Sequence, residues 1–203
     1  MYTREEFVKA LNYYEQLSQL AENKLMLVEA NDGVMKSAWK TGDTQKVTDA
    51  AHQLLMTEKV SEDQIIYAHY LLGMIAMDSK NYAEAEKEFN ITTKLSSGEM
   101  GAESLYNLAL IVYRQNKLEE AENYIYELPE KYSSFDYWIA KGFILLADIY
   151  VGRDNLFQAE QTLVSVIENY KGDDLKKVAE GKLERIRASQ IVNEPETEEN
   201  DTE

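Results

Sequence analysis

Residues 117–125 read KLEEAENYI, and the spacing of their small and apolar side chains decides the fold. Leu118, Ala121 and Ile125 lie three and then four residues apart, which places them on one face of an α-helix. Two other stretches repeat the spacing, NYAEAEKEF at 81–89 and NLFQAEQTL at 155–163. One chain therefore contains three equivalent amphipathic helices.

A second small residue precedes each copy by the same distance. Twelve residues before the central alanines Ala85, Ala121 and Ala159 lie Gly73, Ala109 and Ala147, each after a leucine. A short polar segment separates the two small positions in every copy: SKN at 79–81, QNK at 115–117 and RDN at 153–155. Each copy thus predicts two helices joined by a tight turn. Weaker copies around Val47 and Ala10 extend the array toward the N-terminus, with a period of about 37 residues.

Composition narrows the class of protein. The chain has 203 residues, of which 44% are apolar, so it can bury a substantial core. Its formal charge is −16, and so negative a surface disfavours binding to nucleic acid or to anionic membranes. It has no cysteine, which excludes disulfides and thiolate metal sites, and no apolar run long enough to span a bilayer.

The repeated pattern resembles the tetratricopeptide repeat (TPR) family over about residues 3–172. The matching positions are His69, Leu72, Gly73, Ala85 and Phe89 in one copy, Leu105, Leu108, Ala109, Ala121 and Ile125 in the next, and Phe143, Leu146, Ala147, Tyr150, Ala159 and Leu163 in the last. No copy has the family tryptophan, and only one retains the glycine. Armadillo and HEAT pairs compete, but their period is longer. The resemblance implies an all-α fold, a right-handed α-α superhelix with a C-terminal capping helix.

The same resemblance predicts the domain organisation. We expect a single TPR-like solenoid over residues 1–192, followed by an acidic, disordered tail at 193–203. Within the solenoid we expect a half repeat at 3–22, repeats at about 27–58, 64–97, 101–133 and 136–171, and a capping helix at 173–191. The half repeat at the start suggests that further repeats precede it. The repeat spacing and short motifs such as GDT at 42–44 resemble the C-terminal array of a larger bacterial cell-envelope repeat protein.

The sequence offers little for catalysis. Its two histidines, His52 and His69, lie in different repeats, and no zinc-protease, phosphate-loop or serine-hydrolase motif occurs. His69 falls at the position of the family tryptophan, where a packed ring is the simplest interpretation. We predict no catalytic residue, no metal and no cofactor. A hydrolase that uses acidic pairs is the least favoured alternative.

The function implied by the resemblance is a non-enzymatic scaffold that binds a peptide or protein through its concave groove. In the family, groove residues come from fixed places on the first helix of each hairpin. Those places carry Trp39, Tyr67, Tyr70, Met74, Met77, Tyr106, Leu110, Tyr113, Arg114 and Lys141. The alternative is an architectural spacer in a larger chain, whose stripe packs against its own neighbours. Further repeats of the same chain or self-association are also possible partners.

The compartment is left open by the sequence. A natural start at Met1 favours the cytoplasm, because the N-terminus lacks the apolar region of a signal peptide. A fragment of a longer secreted chain favours the periplasm or cell envelope.

Overall fold

The computed structural model describes residues 3–193, with side chains described through residue 190. This part of the chain forms ten α-helices and no strand, which confirms the all-α prediction. The helices are α1 (Arg4–Leu20), α2 (Lys24–Thr41), α3 (Thr44–Leu55), α4 (Glu62–Asp78), α5 (Tyr82–Leu95), α6 (Glu99–Arg114), α7 (Leu118–Lys131), α8 (Asp136–Gly152), α9 (Leu156–Asn169) and α10 (Asp173–Asn193).

The chain divides into two compact units. Unit 1 extends to Ile111 and unit 2 begins at Val112, so the division falls within α6. In unit 1 the consecutive helices α1 to α5 pack on one another in chain order, ending with the α4–α5 pair. In unit 2 the helices α7 to α10 pack in the same consecutive way. The single array over 1–192 stays a prediction, and the acidic tail falls outside the described residues, apart from Asn193 at the end of α10.

Four helix–helix turns share one backbone conformation. A left-handed residue ends the first helix, and the next backbone N–H donates to a carbonyl five residues back, as in a Schellman motif. The left-handed residues are Gly42, Lys80, Asn116 and Asp154, with φ values of 83°, 60°, 62° and 58°. In three of the turns the following side chain also caps the second helix: Asp43, Asn81 and Asn155 accept from the N–H groups of Lys46, Glu84 and Gln158. The polar segments in the sequence therefore end one helix and begin the next one.

Lys80 is the least suitable of the four left-handed residues, because a lysine has neither the freedom of glycine nor the local hydrogen bonding of asparagine or aspartate. We expect Lys80→Gly to raise the free energy of unfolding by about 0.5–1 kcal/mol, the relief of strain exceeding the entropy that glycine adds to the unfolded chain. Lys94→Gly, at an exposed position of α5, should instead lower it by about 1 kcal/mol. Urea unfolding measures both, and a destabilised Lys80→Gly variant would contradict the strain argument.

The recurring small residues lie where helices approach closely. Ala85, Ala121 and Ala159 are all 0% exposed. A Cβ added to Gly73 on α4 would lie 2.7 Å from the ring of Phe89 on α5, so the glycine lets that ring pack directly on the helix backbone. None of the helices in residues 3–193 is long and apolar enough to cross a bilayer.

Candidate binding face on the first helices

The first helices of successive hairpins in unit 1 bring polar and aromatic side chains into contact. We call this set the tyrosine face, which comprises Lys36 of α2, Tyr67, Tyr70 and Met74 of α4, and Glu103 and Asn107 of α6. A capping box of Ser61 and Gln64 fixes the start of α4. Because Tyr67 and Tyr70 are three residues apart on that helix, their side chains leave it on the same side.

The two tyrosines form the centre of the face. Their rings are stacked, with centroids 6.4 Å apart and planes 24° apart. The ammonium group of Lys36 lies 5.9 Å from the centroid of the Tyr67 ring, so a cation on α2 contacts an aromatic ring on α4. Both tyrosines are half-buried and pack on the core of unit 1. They are held in place, yet they keep part of their surface open.

The phenol groups are hydrogen-bond donors. The Tyr70 hydroxyl donates to Glu103 Oε2 at 2.8 Å. Burial raises the pKa of Tyr70 well above its ordinary value, and the bond to Glu103 raises it further. Burial and the negative charge of Asp32 also raise the pKa of Tyr67. Both groups therefore stay protonated at neutral pH and offer hydrogen bonds to a partner rather than a nucleophile.

A weaker contact, between Asn107 and Met74, belongs to the same face. Asn107 on α6 is buried, and its Nδ2 donates to the sulfur of Met74 at 3.7 Å. Met74 itself is half-buried, and methionine adapts to neighbours of different shape. The contacts between α4 and α6 thus combine one strong hydrogen bond at Glu103 with one weak, adaptable contact at Asn107.

The ten residues that the sequence predicts to line a groove lie in different surroundings in the structure. Tyr67, Tyr70 and Met74 come together in the tyrosine face. Trp39 packs, half-buried, on the core of unit 1, and Met77 and Leu110 are also half-buried. Tyr106 is only 8% exposed, because α6 is buried on most of its circumference, so its side chain belongs to the core rather than to an open face.

The other three predicted residues belong to unit 2. Tyr113 is half-buried and Arg114 is exposed, at the end of α6. On α8, the Lys141 ammonium lies 4.7 Å from the ring centroid of Trp138 and 5.5 Å from that of Tyr137. Further along α8, Asp148 accepts from Lys182 of α10 at 2.5 Å, so the last helix covers this part of α8.

The sequence did not indicate that the tyrosine face also contains Lys36, Glu103 and Asn107, which contact Tyr67, Tyr70 and Met74 respectively. The places on the family pattern include Lys36 and Glu103, but the pairing of Tyr70 with Glu103 joins residues 33 apart in the sequence. That pairing depends on how α4 and α6 pack, which no local pattern reports. The separation of Tyr70 and Glu103, 33 residues, is about one repeat, and this spacing could have suggested that the two side chains meet.

The sequence also did not indicate a buried hydrogen bond between His69 and Glu88 inside the α4–α5 hairpin. His69 Nδ1 donates to Glu88 Oε2 at 2.5 Å, and Lys87 contacts Glu88 Oε1 at 3.2 Å. Glu88 is 3% exposed. Burial alone raises the pKa of Glu88, but the hydrogen bonds from His69 and Lys87 outweigh it and keep the pKa below 4.5. The described residues contain no group of three or more acidic or histidine side chains placed to hold a metal.

Comparisons with known proteins support the repeat fold. No protein-family model matches the chain. The chain is 25% identical over 134 residues to the regulatory protein RapC of Bacillus subtilis (strain 168), covering 59% of this chain and 34% of RapC. It is 32% identical over 108 residues to the protein O-mannosyl-transferase Tmtc3 of Drosophila melanogaster, covering 53% of this chain and 11% of that protein. The chain thus spans about a third and about a tenth of these relatives.

A solved structure also supports the helical repeat fold. The crystal structure of BtubC (BKLC) from P. vanneervenii is similar with a TM-score of 0.64, covering 95% of this chain and 92% of that chain at 18% identity. At that identity the likeness concerns the fold alone. The chain is therefore a TPR-like helical repeat protein of the α-α solenoid class, and no more specific family is assigned.

Proposed function

We propose that this protein is a non-enzymatic scaffold that binds a protein or peptide partner through the tyrosine face. The observation that carries the proposal is the stacked Tyr67–Tyr70 pair, held half-buried between a cation on α2 and a carboxylate on α6. Tyrosine is enriched at binding hot spots because it offers a large rigid surface and a hydrogen-bond donor at little entropic cost.

The arrangement of charges suggests what kind of partner fits. Lys36 lies on one side of the tyrosine pair and Glu103 on the other, so an extended peptide crossing α2, α4 and α6 meets a cation, two rings and then an anion. Met74 follows on the same helix and can adjust to an apolar side chain. Helical-repeat proteins present such surfaces to protein partners, and one relative is itself named a regulatory protein.

The proposal that the protein is not an enzyme draws on the surroundings of the histidine that has a carboxylate partner, His69. The His69–Glu88 pair lies between α4 and α5, and its carboxylate is almost completely enclosed. A catalytic acid or base must reach a substrate, which this carboxylate does not. The transferase activity named for Tmtc3 gives no argument here, because the match covers 11% of that protein.

A second candidate function is an architectural spacer in a longer repeat chain. The observation in its favour is that Lys36, Tyr70 and Met74 already have partners within the chain. A stripe whose members are satisfied internally can serve packing alone. The two candidates differ in what they predict for a loss of the tyrosine rings.

We expect a random-peptide phage library to yield binders to the wild-type protein, and the Tyr67→Ala, Tyr70→Ala double variant to bind them about 30-fold more weakly, as for a hot spot worth about 2 kcal/mol. Isothermal titration with a selected peptide measures the loss. Tyr13→Ala is the matched control, because Tyr13 is 61% exposed on α1 and outside the tyrosine face.

The control variant should bind like the wild type, and circular dichroism should show that the double variant keeps its helix content. Selected peptides that bind the double variant undiminished would refute binding at the tyrosine face. A library that yields no binder, together with a double variant that loses stability only, would favour the spacer.

A further inference from the structure

Helix α1 leaves a face partly exposed that the second helices of the following hairpins bury. Those helices are α3, α5, α7 and α9. The repeat pattern pairs a small residue with another core residue four positions later. These pairs are 47/51 in α3, 85/89 in α5, 121/125 in α7 and 159/163 in α9, and all eight side chains are 0% exposed. The corresponding pair on α1, Ala10 and Tyr14, is only half-buried.

This face borders a cleft of about 490 Å³ between α1 and α2. The α1 side includes Glu6, Ala10 and Tyr14, and the α2 side includes Glu29, Asp32 and Gly33. A Cβ added to Gly33 would lie 2.3 Å from the Tyr14 ring, so the ring packs directly on the backbone of α2 and forms an apolar wall. The cleft therefore has a small residue, Ala10, beside an aromatic wall, as the α4–α5 hairpin has Ala85 near Phe89.

The cleft is lined by acidic side chains. Glu6, Glu29 and Asp32 line it together with one cation, Lys36, which already donates to Asp32 Oδ2 at 2.6 Å. The other carboxylate oxygen of Asp32 is buried and accepts no hydrogen bond from the described residues. The protein itself encloses that oxygen, so the carboxylates that a partner can reach are those of Glu6 and Glu29, which are exposed.

We propose that this cleft binds an amphipathic helix of a partner protein that carries lysine or arginine beside its apolar stripe. The α4–α5 hairpin shows the packing that we expect: a small residue on the incoming helix, like Gly73, faces the small residue on the second helix. The basic side chains then meet the exposed carboxylates of Glu6 and Glu29. This is helix-in-groove recognition. It uses neither tyrosine ring of the tyrosine face, although the cleft shares Lys36 with that face.

Charge distinguishes this occupant from a second copy of the chain. A chain with a net charge of −16 repels its own copies. On a second copy, the helix α10 carries the exposed charged residues Lys177, Glu180 and Glu184 beside Gly181. Its charged surface suits water better than the apolar wall at Tyr14.

The test uses two synthetic peptides. One has the sequence of α4, Glu62–Asp78, and the other replaces Glu62, Asp63 and Asp78 by lysine, so that both keep the same apolar stripe and differ at three charged positions. Fluorescence anisotropy with the 203-residue chain should show the basic peptide binding at least about tenfold more tightly than the acidic one. Glu29→Gln, at an exposed position, should weaken binding of the basic peptide only.

Ala10→Arg tests the location. It places bulk and positive charge in the cleft at a half-exposed site, and it should weaken binding of the basic peptide at least about tenfold. Asn12→Arg adds the same charge to an exposed position of α1 outside the cleft lining and should change binding by less than about twofold. The Tyr67→Ala, Tyr70→Ala variant should bind the peptide normally, which separates this inference from the proposed function.

Equal affinity for the two peptides, or an Ala10→Arg variant that is folded and still binds, would overturn the proposal. So would a wild-type dimer in light scattering that becomes a monomer in Ala10→Arg, because the cleft would then hold a second copy. A monomeric wild type that prefers the basic peptide, with loss of binding in Ala10→Arg but not in Asn12→Arg, supports it.

Discussion

Replacing Ala85 by glutamate unfolds the α4–α5 hairpin, whereas the same replacement at Ala83, two residues earlier in α5, leaves the protein folded. Ala85 is 0% exposed, and Gly73 packs without a side chain against Phe89 nearby, so this interface has no room for a longer side chain. Overpacking alone costs about 1–3 kcal/mol. A buried carboxylate without a partner costs several kcal/mol more, and the sum approaches the whole stability of a small domain.

Ala83 provides a control within the same helix. It is exposed in the first turn of α5, where an acidic side chain interacts favourably with the helix dipole. Thermal melting followed by circular dichroism should show a large loss of helix at 25 °C for Ala85→Glu and little change for Ala83→Glu. If the two variants melt together, the small residues of the repeated pattern are not packing positions.

The sequence was most informative about the helices and their packing positions. The three-and-four spacing around Ala85, Ala121 and Ala159 depends only on the geometry of one helix, and all three side chains are fully buried. Repetition added certainty, because an alternative pattern would have to recur in every copy. The polar turns were predictable as turns for the same reason, although the left-handed backbone of Lys80 was not, since lysine has no preference for it.

Contacts between helices were the less predictable part. The bond from Tyr70 to Glu103 and the pair of His69 with Glu88 join side chains on different helices, and they depend on the packing angle and rotation of those helices. The burial of Tyr106 has the same origin, because neighbours enclose most of α6. A local pattern states which side of a helix is apolar, but it does not state how much of the opposite side a neighbour covers.

His69→Ala should lower the free energy of unfolding by about 3 kcal/mol at pH 7, because it removes a hydrogen-bond donor from the buried carboxylate of Glu88 and leaves Lys87 as its partner. Truncating both residues in a His69→Ala, Glu88→Leu variant should cost less than His69→Ala alone, since no unpaired charge then stays inside the hairpin. Lys87→Ala should cost less than about 1 kcal/mol, because the Lys87 side chain is largely exposed.

The pair also makes stability depend on pH in a defined direction. Because the folded pKa of Glu88 lies below 4.5, its carboxylate stabilises the folded state above about pH 4.5, and this contribution is lost as the pH falls through the lowered folded pKa. Glu88→Gln should therefore remove part of the loss of stability between pH 5 and pH 3 that the wild type shows in urea unfolding. In His69→Ala the pKa of Glu88 rises, so the loss should begin at a higher pH. A Glu88→Gln variant with the same acid profile as the wild type would show that the carboxylate is not held in its charged form by His69.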